Sequence, residues 1–255
     1  MNVSMKTVNT QLCLNDFANR SFRDMADQDY IAARLCYRRE LDQQFLWNSL
    51  QAIEKYLKAI LLFNGKSAKN LRHNLGKALQ RVEEIEDIRF EMPVEARHFI
   101  LEYLDKYGEN RYLDSPSYLR GSTLLDLDRT VWNVRRFCYF MRAERGDGTK
   151  QDRFEIEVEK VHCLKFQERP HEYKISGGYL EKILQKNLPG ARDLVWKNFY
   201  FGRRKKHTIP KFRVRNSSVN PTHFLHPECF PILNKIVDFP KSAVRDYFKK
   251  KACSW

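Results

Sequence analysis

Nowhere in the 255 residues does an uninterrupted apolar run approach the roughly 18 residues that a membrane-spanning helix requires. The opening residues, MNVSMKTVNTQ, also lack the apolar stretch of a secretory signal. A cytoplasmic location with no membrane partner is therefore expected. The six cysteines, at 13, 36, 138, 163, 229 and 253, stand singly with no CxxC pair. That spacing argues against a zinc ribbon and a disulfide framework and leaves reduced, packed thiols. His223 and His226 lie close to Cys229, but zinc sites draw paired ligands from two segments and only one such cluster exists. No metal and no cofactor is expected. Internal repeats are absent too.

What the chain does have is positive charge, unevenly placed. The formal net charge is +14, and residues 151–255 hold 22 Lys or Arg against 11 Asp or Glu. Between Arg192 and Arg215 there are nine basic residues and one acid, Asp193. A focused basic segment points to a polyanionic partner, while a merely solvated face is the alternative reading. With 42% hydrophobic residues the chain can also supply a substantial core.

The apolar residues of the first half follow helical spacing. Ser21 and Asp24 resemble a capping box that opens a helix through FRDMADQDYIAARLCYRRE. Leu46, Leu50, Ile53, Leu57 and Ile60 repeat at four and three, with Gly65 as the stop and a favourable Glu54–Lys58 pair on another face. Leu75, Leu79 and Val82 predict a third helix. Pro93 opens a fourth through Phe99, Ile100, Tyr103, Leu104 and Tyr107 to Gly108. A fifth follows Ser122 with Leu127, Val131, Val134, Cys138 and Met141, its acids Asp126 and Asp128 early and Arg142 and Arg145 late, as the helix dipole favours.

Beyond GDGTKQD the period changes. Phe154, Ile156 and Val158 alternate with Glu155, Glu157 and Glu159, which predicts a strand. GGYLEKILQKN and ARDLVWKNF predict helices, FYFGRRKKHTIPKFRVRN predicts two short strands about a basic turn, and AVRDYFKKK predicts a short terminal helix. The expected fold is mainly α, an antiparallel helical bundle followed by a smaller basic α+β domain. Its expected divisions are an N-terminal segment 1–20, the bundle 21–145, a linker 146–153 and the basic domain 154–255.

DQDYIAARLC, QQFLWNSLQAIEKYLKAILLFNG, HNLGKALQ, LEYLDKYGENRYLD and WNVRRFCYF together resemble the HEPN family, the higher eukaryotes and prokaryotes nucleotide-binding domain, across about residues 22–145. The resemblance implies a small antiparallel helical bundle, commonly dimeric. The segment from GGYLEKILQKN through FYFGRRKK is similar to an extension of some bacterial HEPN proteins. Many members are metal-independent ribonucleases of toxin or defence type that carry an arginine followed four to six residues later by a histidine. In that chemistry the histidine moves the 2′-hydroxyl proton and the arginine steadies phosphate charge. Here the window from Arg111 to Tyr118 contains no histidine, so the motif is incomplete.

Three readings follow from these residues. In the first, the protein binds RNA or a nucleotide, as a homodimer: Arg111 contacts phosphate with Tyr112 beside it, and Arg203, Arg204, Lys205, Lys206, Lys211, Arg213 and Arg215 add affinity. Tyr200, Phe201 and Phe212 between them would either stack on bases or pack a hairpin. In the second, Arg111 serves an endoribonuclease whose proton carrier is His73, Asp114 or Tyr118, although an ordinary phenol is a poor base at neutral pH. The third, implied by the resemblance because HEPN-like proteins are often encoded beside a nucleotidyltransferase, is an interaction module partnering such an enzyme or another protein; no nucleotidyltransferase motif occurs in the chain itself, and Arg111 and Tyr112 would then be structural. His98, beside Arg97, has no special role.

Overall fold

The computed structural model describes residues 10–108, 116–141, 154–163, 170–202, 215–239, 244, 245 and 247. The described residues are mainly helical, as the periodicity predicts, with one small sheet among them. Helix α1 (Thr10–Phe17) passes through a π-helical stretch, Ala18–Arg23, directly into α2 (Asp24–Arg38). The helix therefore begins well before Ser21, which sits inside it rather than capping it. Continuous register is marked by Arg20, which reaches back one turn to Asp16 at 2.8 Å.

Helix α3 (Asp42–Phe63) returns antiparallel to α2: Asn48 lies by Cys36 near one end of the pair, and Lys55 pairs with Asp29 near the other. Its buried residues Leu46, Leu50, Ile53, Leu57 and Ile60 are those of the sequence pattern, and Gly65 takes the left-handed φ of +64° that ends it. Helix α4 (Leu75–Glu83) is capped by Asn74, whose side chain accepts from the Lys77 amide at 2.7 Å. After Pro93, α5 (Val94–His98), a second π-helical stretch (Phe99–Leu104) and α6 (Asp105–Tyr107) form one run up to Gly108. Helix α7 (Thr123–Arg135) crosses α2 antiparallel. It ends before Cys138 and Met141, which are nonetheless buried.

Residues 154–158 overturn the strand reading. Helix α8 (Phe154–Cys163) carries Phe154, Val158 and Val161 into the core while Ile156 stays 56% exposed. Phe154, Val158 and Val161 are spaced by four and three, so one helical face holds the burial; the alternation that mimicked a strand came from Ile156 standing among glutamates. Glu155 and Glu159, on the outer face, meet Arg89. Helices α9 (Tyr179–Gln185) and α10 (Gly190–Val195) stand where the sequence places them. Phe154, Val158, Val161, Leu180, Leu194 and Phe201 join the same hydrophobic cluster as Tyr30, Leu57 and Val131. The expected linker, 146–153, lies outside the described residues.

Tyr200 and Phe201 are not in a strand. They follow a turn at Asn198, whose side-chain oxygen accepts from both their amides at 2.8 and 3.1 Å, and they pack on Trp132. Phe201 is buried in the core and Tyr200 is half-buried against it, while Phe212 lies outside the described residues. The sheet instead pairs β1 (Ser117–Leu119) with β2 (Ser217–Val219), antiparallel, in the register Ser117 to Val219 and Leu119 to Ser217. Past it, α11 (Thr222–Leu225) and α12 (Phe230–Leu233) enclose an aromatic cluster in which the buried His223 ring lies 4.9 Å from Phe239 and 5.6 Å from Phe230. Of the terminal helix, only residues 244, 245 and 247 are described.

Candidate functional site

The described residues that flank Arg111 are Gly108, at the end of α6, and residue 116, just before β1. Gly108 packs so closely on α3 that an added Cβ would stand 2.5 Å from Leu50 Cδ1. Around the two ends gathers a group of tyrosines: Tyr107 and Tyr118 meet edge to face at 5.3 Å, and the buried Tyr103 lies 5.4 Å from Tyr107. Burial first, and the neighbouring Tyr118 second, push the Tyr103 phenol up; a hydrogen bond involving Thr123 acts the other way. Arg120, exposed, sits 5.4 Å over the Tyr118 ring and donates to its hydroxyl at 2.7 Å. Lys106 lies 5.2 Å from Tyr107. Arg111, Tyr112 and Asp114 lie outside the described residues.

The basic stretch ends at Arg215, two residues before β2 of the same sheet. Arg203, Arg204, Lys205, Lys206, Lys211 and Arg213 lie outside the described residues, but Arg215 is placed: its guanidinium pairs with Asp42 and lies 5.5 Å from the Tyr37 ring centroid. Asp42 also accepts from Ser217, and the Gly121 amide donates to Asn216 at 2.9 Å. Arg215 thus has a carboxylate partner within the chain, which anchors the start of β2.

His73 has a carboxylate as well. Its Nδ1 stands 2.8 Å from Glu54 Oε2, its ring is 5.9 Å from Trp47, and half of its side chain is exposed. The second oxygen of Glu54 receives Lys58, as the i,i+4 pattern predicts. Next to it, the Leu75 amide donates to Asp105 at 3.1 Å, which ties the start of α4 to α6. Trp47 and Glu54, which hold His73, flank Leu50, which holds Gly108, on one stretch of α3.

Sequence reasoning missed a buried charge network inside the bundle. Arg34 and Asp128, both 0% exposed, pair directly, and the Tyr30 hydroxyl donates to Asp128 at 2.6 Å. Arg135 grips both oxygens of Asp27 at 2.7 and 2.9 Å and both oxygens of Glu181 at 2.8 and 2.7 Å. Asp27 also accepts from Tyr56 at 2.6 Å. Burial alone pushes the Arg135 guanidinium down, but the Asp27 and Glu181 carboxylates outweigh it and hold the group well above its usual value. Burial, then Asp128, drives the Tyr30 phenol well up, and burial, then Asp27, does the same to Tyr56. Asp128 is thus a buried ion-pair partner, not a dipole-facing surface acid. The available signal was position: Asp27, Tyr30 and Arg34 recur at helical spacing on the face of α2 that also buries Ala26 and Ala33.

Among the described residues, no group of three or more His, Cys, Asp or Glu side chains gathers as a metal site, and no helix is long and apolar enough to cross a membrane. No curated protein and no solved structure matches the chain. A family model does match, that of the HEPN domain, over residues 20–143. The helices from the π-helical stretch before α2 through α7 are therefore a HEPN domain, followed by a C-terminal region that lies outside the match.

Proposed function

We propose that this HEPN protein binds RNA or a nucleotide, as a homodimer through its helical bundle, without a complete ribonuclease motif. Arg111 contacts phosphate with Tyr112 beside it, and Arg203, Arg204, Lys205, Lys206, Lys211 and Arg213 supply electrostatic affinity. Arg215 contributes chiefly by anchoring that stretch, since its charge is met by Asp42. The observation that carries this reading is the pairing of β1 with β2. The strand at the end of the Arg111 window, which holds Tyr118 and is followed by Arg120, meets in one sheet the strand that follows the basic stretch.

One observation favours a second reading, a metal-independent ribonuclease of toxin or defence type. His73 is half exposed, oriented by Glu54, and held on the same stretch of α3 as Gly108. A carboxylate-oriented imidazole suits proton transfer near neutral pH. Tyr118, the other described proton carrier, has its hydroxyl engaged by Arg120.

Labelled RNA incubated with wild type and Arg111→Ala in EDTA separates the two. The binding reading expects retarded but intact RNA with wild type and weaker retardation with the variant. Cleavage by wild type that disappears in both Arg111→Ala and His73→Ala would replace it with the ribonuclease.

A further inference from the structure

Helices α2 and α7 present a face of buried ion pairs, Arg34 with Asp128 and Arg135 with Asp27. Asp27, Tyr30 and Arg34 project from α2, and Asp128 and Arg135 from α7. All five are buried, and four of them, Asp27, Tyr30, Arg34 and Arg135, also hydrogen-bond to residues 175–201. Arg34 Nε donates to the Asp193 carbonyl at 3.0 Å and another Arg34 nitrogen donates to the Trp196 carbonyl. Asn198 donates to the Tyr30 hydroxyl at 2.8 Å. The Leu180 amide donates to Asp27 at 3.2 Å, and Glu181 closes on Arg135 while accepting from the Ile175 amide at 3.0 Å.

The apolar contacts run the same way. Phe201 lies 5.6 Å from the Tyr30 ring and 6.0 Å from Trp132, and Leu180 and Leu194 are fully buried. The close fit extends to the backbone: a Cβ on Gly178 would fall 2.0 Å from Glu181 Oε2 and 2.8 Å from an Arg135 nitrogen. At Gly202, φ is +108° and a Cβ would stand 2.7 Å from Val195. Only glycine suits that backbone.

We infer that residues 175–201 are the built-in occupant of the α2–α7 face, so that the folding unit of this chain extends past the family-matched stretch and that face is closed to other partners. Two consequences follow. A buried arginine deprived of its acceptors is strongly destabilising, so the segment and the bundle open together rather than in turn. A second copy of the chain, or any ligand, must use faces other than the one holding Arg34 and Arg135.

Hydrogen exchange on the full-length protein tests this. In wild type, amides of α9 are expected to exchange with the same protection as buried amides of α2 and α7, in one cooperative opening. Glu181→Ala removes one of the two carboxylates on Arg135, leaving Asp27 in place, and should lower protection in α2, α7 and α9 together by about tenfold or more. Gly178→Ala, which keeps every charge but forces Glu181 away, should lower the three together by a smaller factor. Wild-type α9 amides that exchange far ahead of α2 and α7, or variants that loosen α9 while the bundle stays fully protected, would overturn the inference. The wild-type measurement decides even if a variant fails to fold.

Discussion

Replacing Gly108 with alanine sets two known effects against each other. Gly108 has helical dihedrals, φ −67° and ψ −33°, so alanine on its own would stabilise the end of α6 by about 0.5–1 kcal/mol. The new methyl, however, would stand 2.5 Å from Leu50 Cδ1, 2.7 Å from Leu50 Cβ and 2.7 Å from the Leu104 carbonyl oxygen. Leu50 is 0% exposed and has nowhere to retreat. Overpacking of this kind costs about 1–3 kcal/mol, so the clash wins and the net loss is about 1–2 kcal/mol. Urea denaturation at constant slope, or a fall in the thermal midpoint of roughly 3–6 °C, reads that loss. Because Arg111 follows Gly108 by three residues, RNA affinity should fall with it. A variant more stable than wild type by the full propensity gain would refute the close approach of α6 to α3.

Asp128→Leu leaves Arg34 charged in the core without its carboxylate and should cost about 3–5 kcal/mol in denaturant unfolding, whereas Arg34→Met with Asp128→Leu should recover much of that loss. Alkaline titration gives a second check. The Tyr30 and Tyr56 phenols are raised in the folded protein, so above pH 10 the unfolded chain releases protons that the folded one keeps. Stability attributable to each tyrosine is complete below pH 10 and falls above it by about 1.4 kcal/mol per pH unit, a decline that Tyr56→Phe should reduce. Helix and strand at 154–158 are separated by a pair of substitutions: Ile156→Asp should leave the thermal midpoint nearly unchanged, while Val158→Asp should lower it sharply. Equal losses at both positions would restore the strand.

The sequence made the α3 stripe legible because its apolar residues repeat without interruption and a glycine ends it; α4 and the run to Gly108 were legible for the same reason. Helix α8 was misread because only Phe154 and Val158 fall inside the short alternating window, and Val161, which reveals the helical period, lies beyond it. The sheet escaped notice because its strands are three residues long and partly polar, and they pair across the chain, Ser117 with Val219. Local pattern carries no information on such a pairing. The buried network was hidden for a related reason. Asp27, Arg34, Asp128 and Arg135 look like ordinary surface charges until α2, α7 and residues 175–201 come together, and a charge is buried only when its partner arrives. At the candidate site, Tyr103 and Tyr107 were visible as members of a stripe, but their grouping with Tyr118 and Arg120 depends on how β1 folds back.

The central claim is that a polyanion is held by the basic stretch. The most direct measurement is the affinity of labelled single-stranded RNA over a salt series, for wild type and for Lys205→Glu with Lys206→Glu. If both lysines meet phosphates, the slope of log affinity against log salt should flatten by about 1.4, with weaker binding at every salt concentration. Identical slopes and affinities, or no RNA binding by wild type at low salt, would contradict the account.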